Sequence, residues 1–367
     1  MDLKSRLLRE LGAHPEALAG RTCFVGFDGF VDTIVSPVAR RDGPGERFSA
    51  FAGIADFGSQ VTAAAGKSAN FELYPRMELP GGNGPIITGA LAALGARVTC
   101  AGAFGRPEPH PVFAEISRKA RLVSLAEPAR TTAMEFPDGK LMFGIMRSLD
   151  DITPGGIAAA FGGDGYREAV TDADLVVLGN WTMIPHMTEV YADLTANILP
   201  AAPGRPGRQF FFDLADPAKR SAADLRGALD AISRFEEFGR VALGLNLKEA
   251  QHVLAALGTG ACGEAPEDMK AGARTIRIRL GLANVVIHAT GSAACATPDG
   301  SWWVPGPYTP HPLISTGAGD HFNAGFSAGR LLGLDPESCL GLGVSASGHY
   351  VRTARSPGPS DLEAMLR

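Results

Sequence analysis

The sequence predicts an α/β fold in which helices flank a doubly wound, mostly parallel sheet. Short apolar runs bounded by turn residues recur along the 367-residue chain, and segments with helical spacing of apolar residues lie between several of them. Strands that are apolar on both faces are typical of a parallel sheet covered by helices. The length allows one large α/β domain or two smaller ones, and 45% hydrophobic residues can form a substantial core.

The individual strands and helices follow from these patterns. Buried strands are predicted at residues 22–26, 98–102, 175–179, 210–213, 241–244 and 285–288. Helices are predicted at residues 1–11, 86–94, 222–235, 248–257 and 335–352, with a further helix that begins at the turn around residue 320. Sheets of this kind bind ligands at the carboxyl ends of their strands, so functional residues are expected there.

Two stretches, residues 36–79 and 121–147, do not fit the alternation. In the second stretch, strand-like segments at 131–136 and 141–144 flank a Pro137-Asp138-Gly139-Lys140 turn, which is a hairpin signal. We therefore expect a small β lid formed by about residues 36–79 and 121–147. Phenylalanines in the first stretch would enlarge the lid, form a subunit interface or cover the core; they are Phe48, Phe51, Phe57 and Phe71.

The composition argues against several classes of protein. A net charge of −5 and a pI near 5.9 lack the basic excess of a nucleic-acid-binding protein. No apolar run approaches the roughly 20 residues of a membrane span. The five cysteines lie far apart and form no CxxC pair, so neither disulfides nor cysteine-rich metal sites are expected. We expect a cytoplasmic protein with reduced thiols and without nucleic-acid or membrane partners.

A glycine-rich turn before the helix near residue 320 indicates phosphoryl transfer. Glycines permit a tight turn, and the amides of Gly317, Ala318 and Gly319 lie where the first turn of a helix leaves its N–H groups without partners. Such amides, together with the helix dipole, bind anions. Phosphate would repel Asp320, so this carboxylate is expected to take a proton from a hydroxyl beside the phosphate. The alternative is a tight turn in which Asp320 only caps the helix.

Two further segments carry groups that fit a hydroxylated acceptor. Gly81 and Gly82 allow the backbone to approach a ligand, and Asn83 follows them at the start of a helix. Asn83 alternatively caps that helix. Asp28 and Asp32 follow the first strand and can accept hydrogen bonds from the hydroxyls of a polyol, unless one of them only shapes the local turn.

The order of these motifs resembles the ribokinase-like (PfkB) family of carbohydrate and nucleoside kinases, from about Phe24 to about Pro359. Asp32 falls on the family's substrate-binding aspartate, and Gly81-Gly82 falls in its first signature. Asn246-Leu247-Lys248-Glu249 matches the family's NxxE motif, and residues 316–320 match its second signature. The match continues through Phe322, Asn323 and Gly325.

The resemblance implies a single ribokinase-like α/β domain over residues 1–367 and a sugar kinase that uses ATP. It implies that Asp320 is the catalytic base, that the amides beside it form the anion hole, and that Asn246 and Glu249 organise magnesium through ordered water. The implied nucleotide contacts are Asn246, Thr290, Gly291, Ser292, Thr316, Gly317, Gly319 and Asn323. The acceptor contacts expected from the motifs and the resemblance are Asp28, Asp32, Gly81, Gly82, Asn83 and Asn180.

Two positions depart from the family pattern. Ile314 replaces an aspartate from the region that binds a monovalent cation in several members, so activation by such a cation stays open. Ile86 replaces an asparagine that follows the double glycine, so the acceptor cannot be copied from ribokinase. A nucleoside kinase of the same fold and a catalytically silent sensor of sugar or nucleotide remain alternatives. A homodimer through the lid, with an interface formed by residues 36–79, is a further hypothesis.

Overall fold

A nine-stranded sheet forms the centre of the computed structural model, which describes residues 2–13, 18–201, 205 and 207–367. The strands in chain order are β1 Thr22–Gly26, β2 Phe30–Arg41, β3 Phe48–Ala50, β4 Glu72–Gly81, β5 Arg97–Gly102, β6 Arg121–Ser124, β7 Ala129–Phe136, β8 Gly139–Ile145, β9 Leu175–Leu178, β10 Gln209–Asp213, β11 Arg240–Asn246, β12 Asn284–His288, β13 Ser292–Thr297 and β14 Gly300–Pro305. The central sheet has the order β14-β13-β12-β11-β10-β9-β1-β5-β6. It contains all six predicted strands.

The central sheet is parallel except at one end. The parallel strands of this sheet are β1, β5, β6, β9, β10, β11 and β12. Strands β13 and β14 add an antiparallel edge. Gly26, at the end of β1, pairs with Ala101 of β5 on one side and Leu178 of β9 on the other. The order of the strands reverses at β1, so their carboxyl ends form a crevice of the type that binds ligands in doubly wound sheets. These findings confirm the predicted fold class.

Helices cover both faces of the sheet. Their bounds are α1 Leu3–Ala13, α2 Ile54–Ala63, α3 Asn83–Ala93, α4 Ala114–Ser117, α5 Pro154–Phe161, α6 Gly165–Thr171, α7 Met187–Asp193, α8 Ala222–Ser233, α9 Leu247–Ala256, α10 Pro266–Leu280, α11 Ala318–Leu331, α12 Pro336–Thr353 and α13 Pro359–Leu366. Helices α5 to α10 pack on one face, and α1, α3, α4 and α11 to α13 pack on the other. Helix α11 is buried along almost its whole length, as its small residues predict. Within the described residues, no helix combines the length and the apolar character needed to cross a membrane.

A second, five-stranded sheet, called the small sheet below, stands on the carboxyl side of β1. It contains β2, β3, β4, β7 and β8, and the predicted hairpin forms its antiparallel β7–β8 pair. The boundaries of the predicted lid need two corrections. The small sheet begins at Phe30 rather than at residue 36, and Arg121–Ser124 forms β6 at the edge of the central sheet. This short segment begins with a charged residue and has no long apolar run, so its pattern alone does not place it.

The outer face of the small sheet is covered by the segment that contains α2. Phe51, Phe57 and Phe71 contact one another and pack against an apolar cluster in the sheet that includes Val35 and Met134. Burial of these rings stabilises the small sheet by the usual hydrophobic free energy. Of the roles considered for these phenylalanines, the structure shows that they enlarge and cover the small sheet.

Candidate active site

Polar residues from several elements converge at the carboxyl edge of the central sheet. Asp28 follows β1, Asp213 ends β10 and Asn246 ends β11. Helices α3 and α11 begin at the same edge, where the side chain of Asn83 contacts that of Asp320. The two helix N-termini bring positive ends of their dipoles to this edge. The arrangement suits an anionic ligand beside a set of buried carboxylates.

The glycine-rich turn before α11 is held in place by two aromatic side chains. Gly317 has φ of +85°, a left-handed conformation that favours glycine. The Tyr350 hydroxyl donates a hydrogen bond to the Thr316 carbonyl at 3.0 Å, and His321 Nδ1 donates to the Gly317 carbonyl at 2.8 Å. The rings of His321 and Tyr350 stack with centroids 3.7 Å apart. Burial lowers the pKa of His321 to about 4, so this imidazole is neutral at physiological pH.

The predicted anion hole is available in part. The amides of Gly317 and Gly319 have no hydrogen-bond acceptor among the described residues. The Ala318 amide, in contrast, donates to the Ser315 carbonyl at 3.2 Å. The prediction of three free amides is therefore corrected to two, because the turn closes on itself through Ala318. A side chain at Gly319 would place Cβ 3.1 Å from His288 Cε1, so glycine also keeps this approach open.

Asp320 is a buried carboxylate whose orientation is set by Asn83. The Asn83 side-chain amide donates to Asp320 Oδ1 at 2.8 Å. Burial raises the pKa of Asp320 well above its usual range, and the charges of Asp213 and Asp28 raise it further. A raised pKa makes the carboxylate a stronger base, and Oδ2 has no hydrogen-bond partner among the described residues. Asn83, predicted as an acceptor contact, therefore also has a structural partner in Asp320.

Asp28 fixes the start of α3. One of its carboxylate oxygens accepts from the Gly84 amide at 2.7 Å, and the other accepts from the Asn83 amide at 2.8 Å and from the Asn180 side chain at 2.6 Å. Burial raises the pKa of Asp28, while these three donors favour its charged form. Asp28 is thus the aspartate that shapes the local backbone, an alternative left open by the sequence. Asn180, predicted as a sugar contact, is buried and directs its amide at Asp28 rather than at open space.

The two glycines before α3 are required by the aspartates that they approach. A Cβ atom at Gly81 would lie 2.3 Å from Asp32 Oδ2, and one at Gly82 would lie 2.8 Å from Asp28 Oδ2. Gly82 also has φ of +96°, which disfavours any other residue. The double glycine thus lets the backbone pass between two carboxylates.

Asp32 is placed to contact a ligand. It lies on β2, paired with Leu79 of β4 and Thr131 of β7, and 9% of its surface is exposed. Burial raises the pKa of Asp32, whereas the Thr131 hydroxyl and the more distant charge of Lys140 lower it. No described backbone amide donates to Asp32, in contrast to Asp28. Its oxygens therefore remain available to hydroxyls of an acceptor.

Asn246 and Glu249 form a reciprocal cap at the start of α9. Asn246 Oδ1 accepts from the Glu249 amide at 2.9 Å, and Glu249 accepts from the amides of Asn246 at 2.8 Å and Asp216 at 3.1 Å. Burial raises the pKa of Glu249. Burial also raises the pKa of Asp213, with a further contribution from the charge of Glu249. The described residues contain no group of three or more His, Cys, Asp or Glu side chains that would hold a metal directly.

The predicted nucleotide contacts do not all face the same space. Thr290 and Gly291 lie in the exposed turn between β12 and β13, near the edge of the site. Ser292 is buried, and its hydroxyl points at the sulfur of Met269 at 3.4 Å. Asn323 is also buried and donates to Asp213 Oδ2 at 2.7 Å, while its own carbonyl oxygen has no partner among the described residues. Because Ser292 and Asn323 are buried and contact other residues of the protein, they support the site and are not exposed nucleotide contacts.

Two residues near the site carry no predicted role. His288 ends β12, packs against Phe322 with the two rings tilted and their centroids 5.0 Å apart, and borders Gly319. Burial lowers the pKa of His288 to about 4, so its ring is neutral. Its position at the end of a central strand is the sequence signal that would have found it. The sequence identifies Lys140 only as part of a hairpin turn. In the structure its ammonium contacts the Thr316 hydroxyl.

Replacing Asn83 with alanine should move the acid limb of the kcat/KM profile to higher pH. The Asn83 amide lowers the pKa of Asp320, so its loss raises that pKa and a higher pH is needed to form the base. The backbone amide of residue 83 keeps its bond to Asp28. Asn197→Ala removes a bond of the same chemical type, to Asp193 at the surface and away from the site, and should leave the profile unchanged. An unshifted profile in Asn83→Ala would show that Asn83 does not influence the pKa of Asp320.

Comparisons with known proteins identify the family and the fold of this chain. The family model for prokaryotic ketohexokinase matches residues 5–367. A ketohexokinase from Haloferax volcanii is 28% identical over 352 residues, which cover 95% of this chain and 92% of that protein. Among solved structures, Arabidopsis thaliana ribokinase complexed with ribose and ATP has a TM-score of 0.66 at 17% identity, covering 95% of this chain and 99% of that one. A carbohydrate kinase from Agrobacterium tumefaciens has a TM-score of 0.64 at 19% identity, covering 94% and 97%.

The predicted ribokinase-like fold and sugar kinase activity are thereby confirmed. The family match spans nearly the whole chain, and the solved structures share its fold from end to end. Of the activities considered from the sequence, transfer of a phosphoryl group from ATP to a sugar hydroxyl is the one that these findings support. The chain belongs to the prokaryotic ketohexokinase family and is an ATP-dependent carbohydrate kinase.

Proposed function

We propose that the acceptor of this kinase is a free ketohexose. The observation that carries the proposal is the match of the ketohexokinase family model to residues 5–367, supported by the relative from Haloferax volcanii over 95% of the chain. The site fits a small polyol, because Asp32 on the small sheet lies beside the double glycine and receives no hydrogen bond from a described backbone amide. Asp32, Gly81, Gly82 and Asn83 orient the acceptor in this proposal, whereas Asp28 and Asn180 support them.

Asp320 carries the proton transfer in the proposed reaction. Its free oxygen takes the proton of one acceptor hydroxyl, and the hydroxyl oxygen forms a bond to the γ-phosphorus of ATP. The bond from the γ-phosphorus to the bridging oxygen breaks, and ADP leaves with the bonding electrons. The amides of Gly317 and Gly319 donate to the transferring oxygens. The small sheet acts as a lid that excludes water as a competing acceptor.

We further propose that magnesium accompanies the nucleotide. The charges of Asp213 and Glu249 raise the pKa of Asp320, and the charge of Glu249 also raises that of Asp213, so a cation near these buried carboxylates would relieve the repulsion. The oxygens of Glu249 already accept backbone amides, which fits coordination through water and phosphate rather than directly. Magnesium held near Asn246 and Glu249 through water would offset the negative charge of the phosphates. Thr290, Gly291 and Thr316 are the proposed nucleotide contacts that the structure leaves accessible.

ADP release with Mg-ATP over a panel of ketohexoses, aldohexoses, pentoses, polyols and nucleosides tests the substrate. We expect kcat/KM for a ketohexose to exceed that for aldohexoses and nucleosides by about tenfold or more, since discrimination through hydroxyl contacts is strong. Excess EDTA should abolish turnover. A nucleoside or ribose as the best acceptor would overturn the proposed substrate. Nucleotide binding without turnover on any acceptor would favour the silent sensor.

The homodimer through the small sheet and the cytoplasmic location also remain proposals. Strand β8 is an edge of the small sheet and exposes Phe143 by 54% and Ile145 by 67%. Exposed apolar edge strands are surfaces that proteins usually cover, which supports association through this sheet. The five cysteines are buried free thiols, as expected for a reducing compartment.

A further inference from the structure

The hairpin of the small sheet places a lysine against the glycine-rich turn of the central domain. Lys140 is the second residue of β8, and its ammonium contacts the hydroxyl of Thr316, the residue before Gly317. Asp32 pairs with Thr131 of β7, and Lys140 pairs with Glu135 of the same strand. Residues two and four positions apart in a strand share a face, so Lys140 lies on the same face of the small sheet as Asp32.

The ammonium of Lys140 is available to an anion. Other lysines pair with carboxylates at the surface, as Lys119 does with Glu115 and Lys270 does with Glu267. The contact that the described residues give Lys140 is instead to an uncharged hydroxyl. An ammonium has three donors, so two remain free when one is used by Thr316. The side chain is exposed, contacts the turn at Thr316 and is close enough to Asp32 for its charge to lower the pKa of that carboxyl.

The charges around this space explain why a cation is needed there. The site concentrates buried carboxylates, namely Asp28, Asp32, Asp213, Glu249 and Asp320. These carboxylates disfavour the approach of a phosphate, whereas the free amides of Gly317 and Gly319 contribute only partial positive charge. A lysine that arrives from the small sheet and contacts Thr316 adds a full positive charge next to the turn that carries these amides.

We propose that Lys140 is a catalytic residue that donates hydrogen bonds to the oxygens of the phosphoryl group during its transfer. The inference rests on the proposed function and adds a residue to it. Lys140 stays protonated throughout: the acceptor proton goes to Asp320, and the electrons of the broken bond leave with ADP. Because Lys140 belongs to the hairpin that covers the acceptor, closure of the small sheet and delivery of the positive charge occur together.

Substitutions of Lys140 distinguish a catalytic role of its positive charge from a purely structural contact between the two sheets. Lys140→Gln keeps a donor for Thr316 but loses the charge, and it should lower kcat by about 10²-fold or more with a smaller change in the KM for ATP. Lys140→Arg should recover at least about tenfold of that loss, since it restores the charge. Lys119→Gln removes an exposed lysine at the opposite end of the central sheet and is the matched control. A kcat for Lys140→Gln within threefold of the wild type would overturn the proposal, as would equal rates for the arginine and glutamine variants.

A binding measurement decides the point independently of turnover. Calorimetric titration with Mg-ADP should give similar affinities for the wild type and Lys140→Gln, because ADP lacks the transferring group. Aluminium fluoride, which mimics that group, should tighten ADP binding in the wild type by at least about tenfold more than in the variant. Equal tightening in both proteins would overturn the role of Lys140. If the wild type phosphorylates no sugar but shows the expected difference with aluminium fluoride, the proposed acceptor fails and the role of Lys140 stands.

Discussion

Asp320→Asn should lower kcat by about 10³-fold while the affinity for ATP changes by no more than a few-fold. General base catalysis by a positioned side chain contributes about 10²–10⁴-fold, and burial has raised the pKa of this carboxylate toward the range in which it is most effective. Asparagine has nearly the same shape and can still accept the hydrogen bond from Asn83 at Oδ1. It cannot take a proton. A coupled assay of ADP formation and calorimetric titration with ATP measure the two quantities.

The pH dependence of the wild type provides a second check on the same residue. Only the carboxylate form of Asp320 can act as the base, so kcat/KM should fall as the pH falls through its raised pKa. The residual activity of Asp320→Asn should lack this acid limb. A variant that keeps more than a tenth of the wild-type kcat, with the same acid limb, would exclude Asp320 as the base.

Asp28→Ala should reduce the free energy of unfolding by about 3–5 kcal/mol. The substitution leaves three buried donors without an acceptor, namely the amides of Asn83 and Gly84 and the side chain of Asn180. An unsatisfied buried donor costs about 1–3 kcal/mol, and the bonds lost here are to a carboxylate. The N-terminus of α3 also loses a favourable negative charge. The midpoint of urea-induced unfolding, at a constant slope, measures the change.

Asp32→Ala is the matched control for this stability prediction. Asp32 lies four residues away and is also largely buried, but no described backbone amide donates to it. Its loss should change the free energy of unfolding by less than about 1 kcal/mol and raise the KM for the acceptor. If Asp28→Ala and Asp32→Ala destabilise the protein equally, the assignment of Asp28 as the structural aspartate is incorrect.

The central sheet was predictable because its strands are apolar on both faces and are separated by clear turn residues. Runs such as Leu175–Leu178 are apolar on both faces and have no polar side for solvent, so their pattern identifies a buried strand directly. The turn around Asp320 was predictable for a related reason, since glycines that precede a helix mark a place where the backbone approaches an anion. Short motifs in a fixed order then identified the family.

Contacts between distant segments could not be read in the same way. The bond between Asn83 and Asp320 joins residues 237 positions apart, and the contact between Lys140 and Thr316 joins residues 176 positions apart. The local sequence pattern shows only that these residues are polar and lie in turns or at the starts of helices. It does not show which distant residue each of them contacts. The use of the Ala318 amide by Ser315 depends on the detailed closure of one turn, which composition does not specify.

The separation of the two sheets has a consequence for how this enzyme can diverge. In the proposed reaction, the phosphoryl-transfer groups, which are Asp320 and the amides of Gly317 and Gly319, are built on the central sheet, whereas Asp32 and the cover of the acceptor belong to the small sheet. Mutations in the small sheet can therefore change which sugar is accepted while the machinery that handles ATP stays intact. New substrates become accessible to selection without a loss of catalysis along the way. Lys140 is the constraint on this freedom, because it is the residue of the small sheet that would have to be kept whatever the sugar.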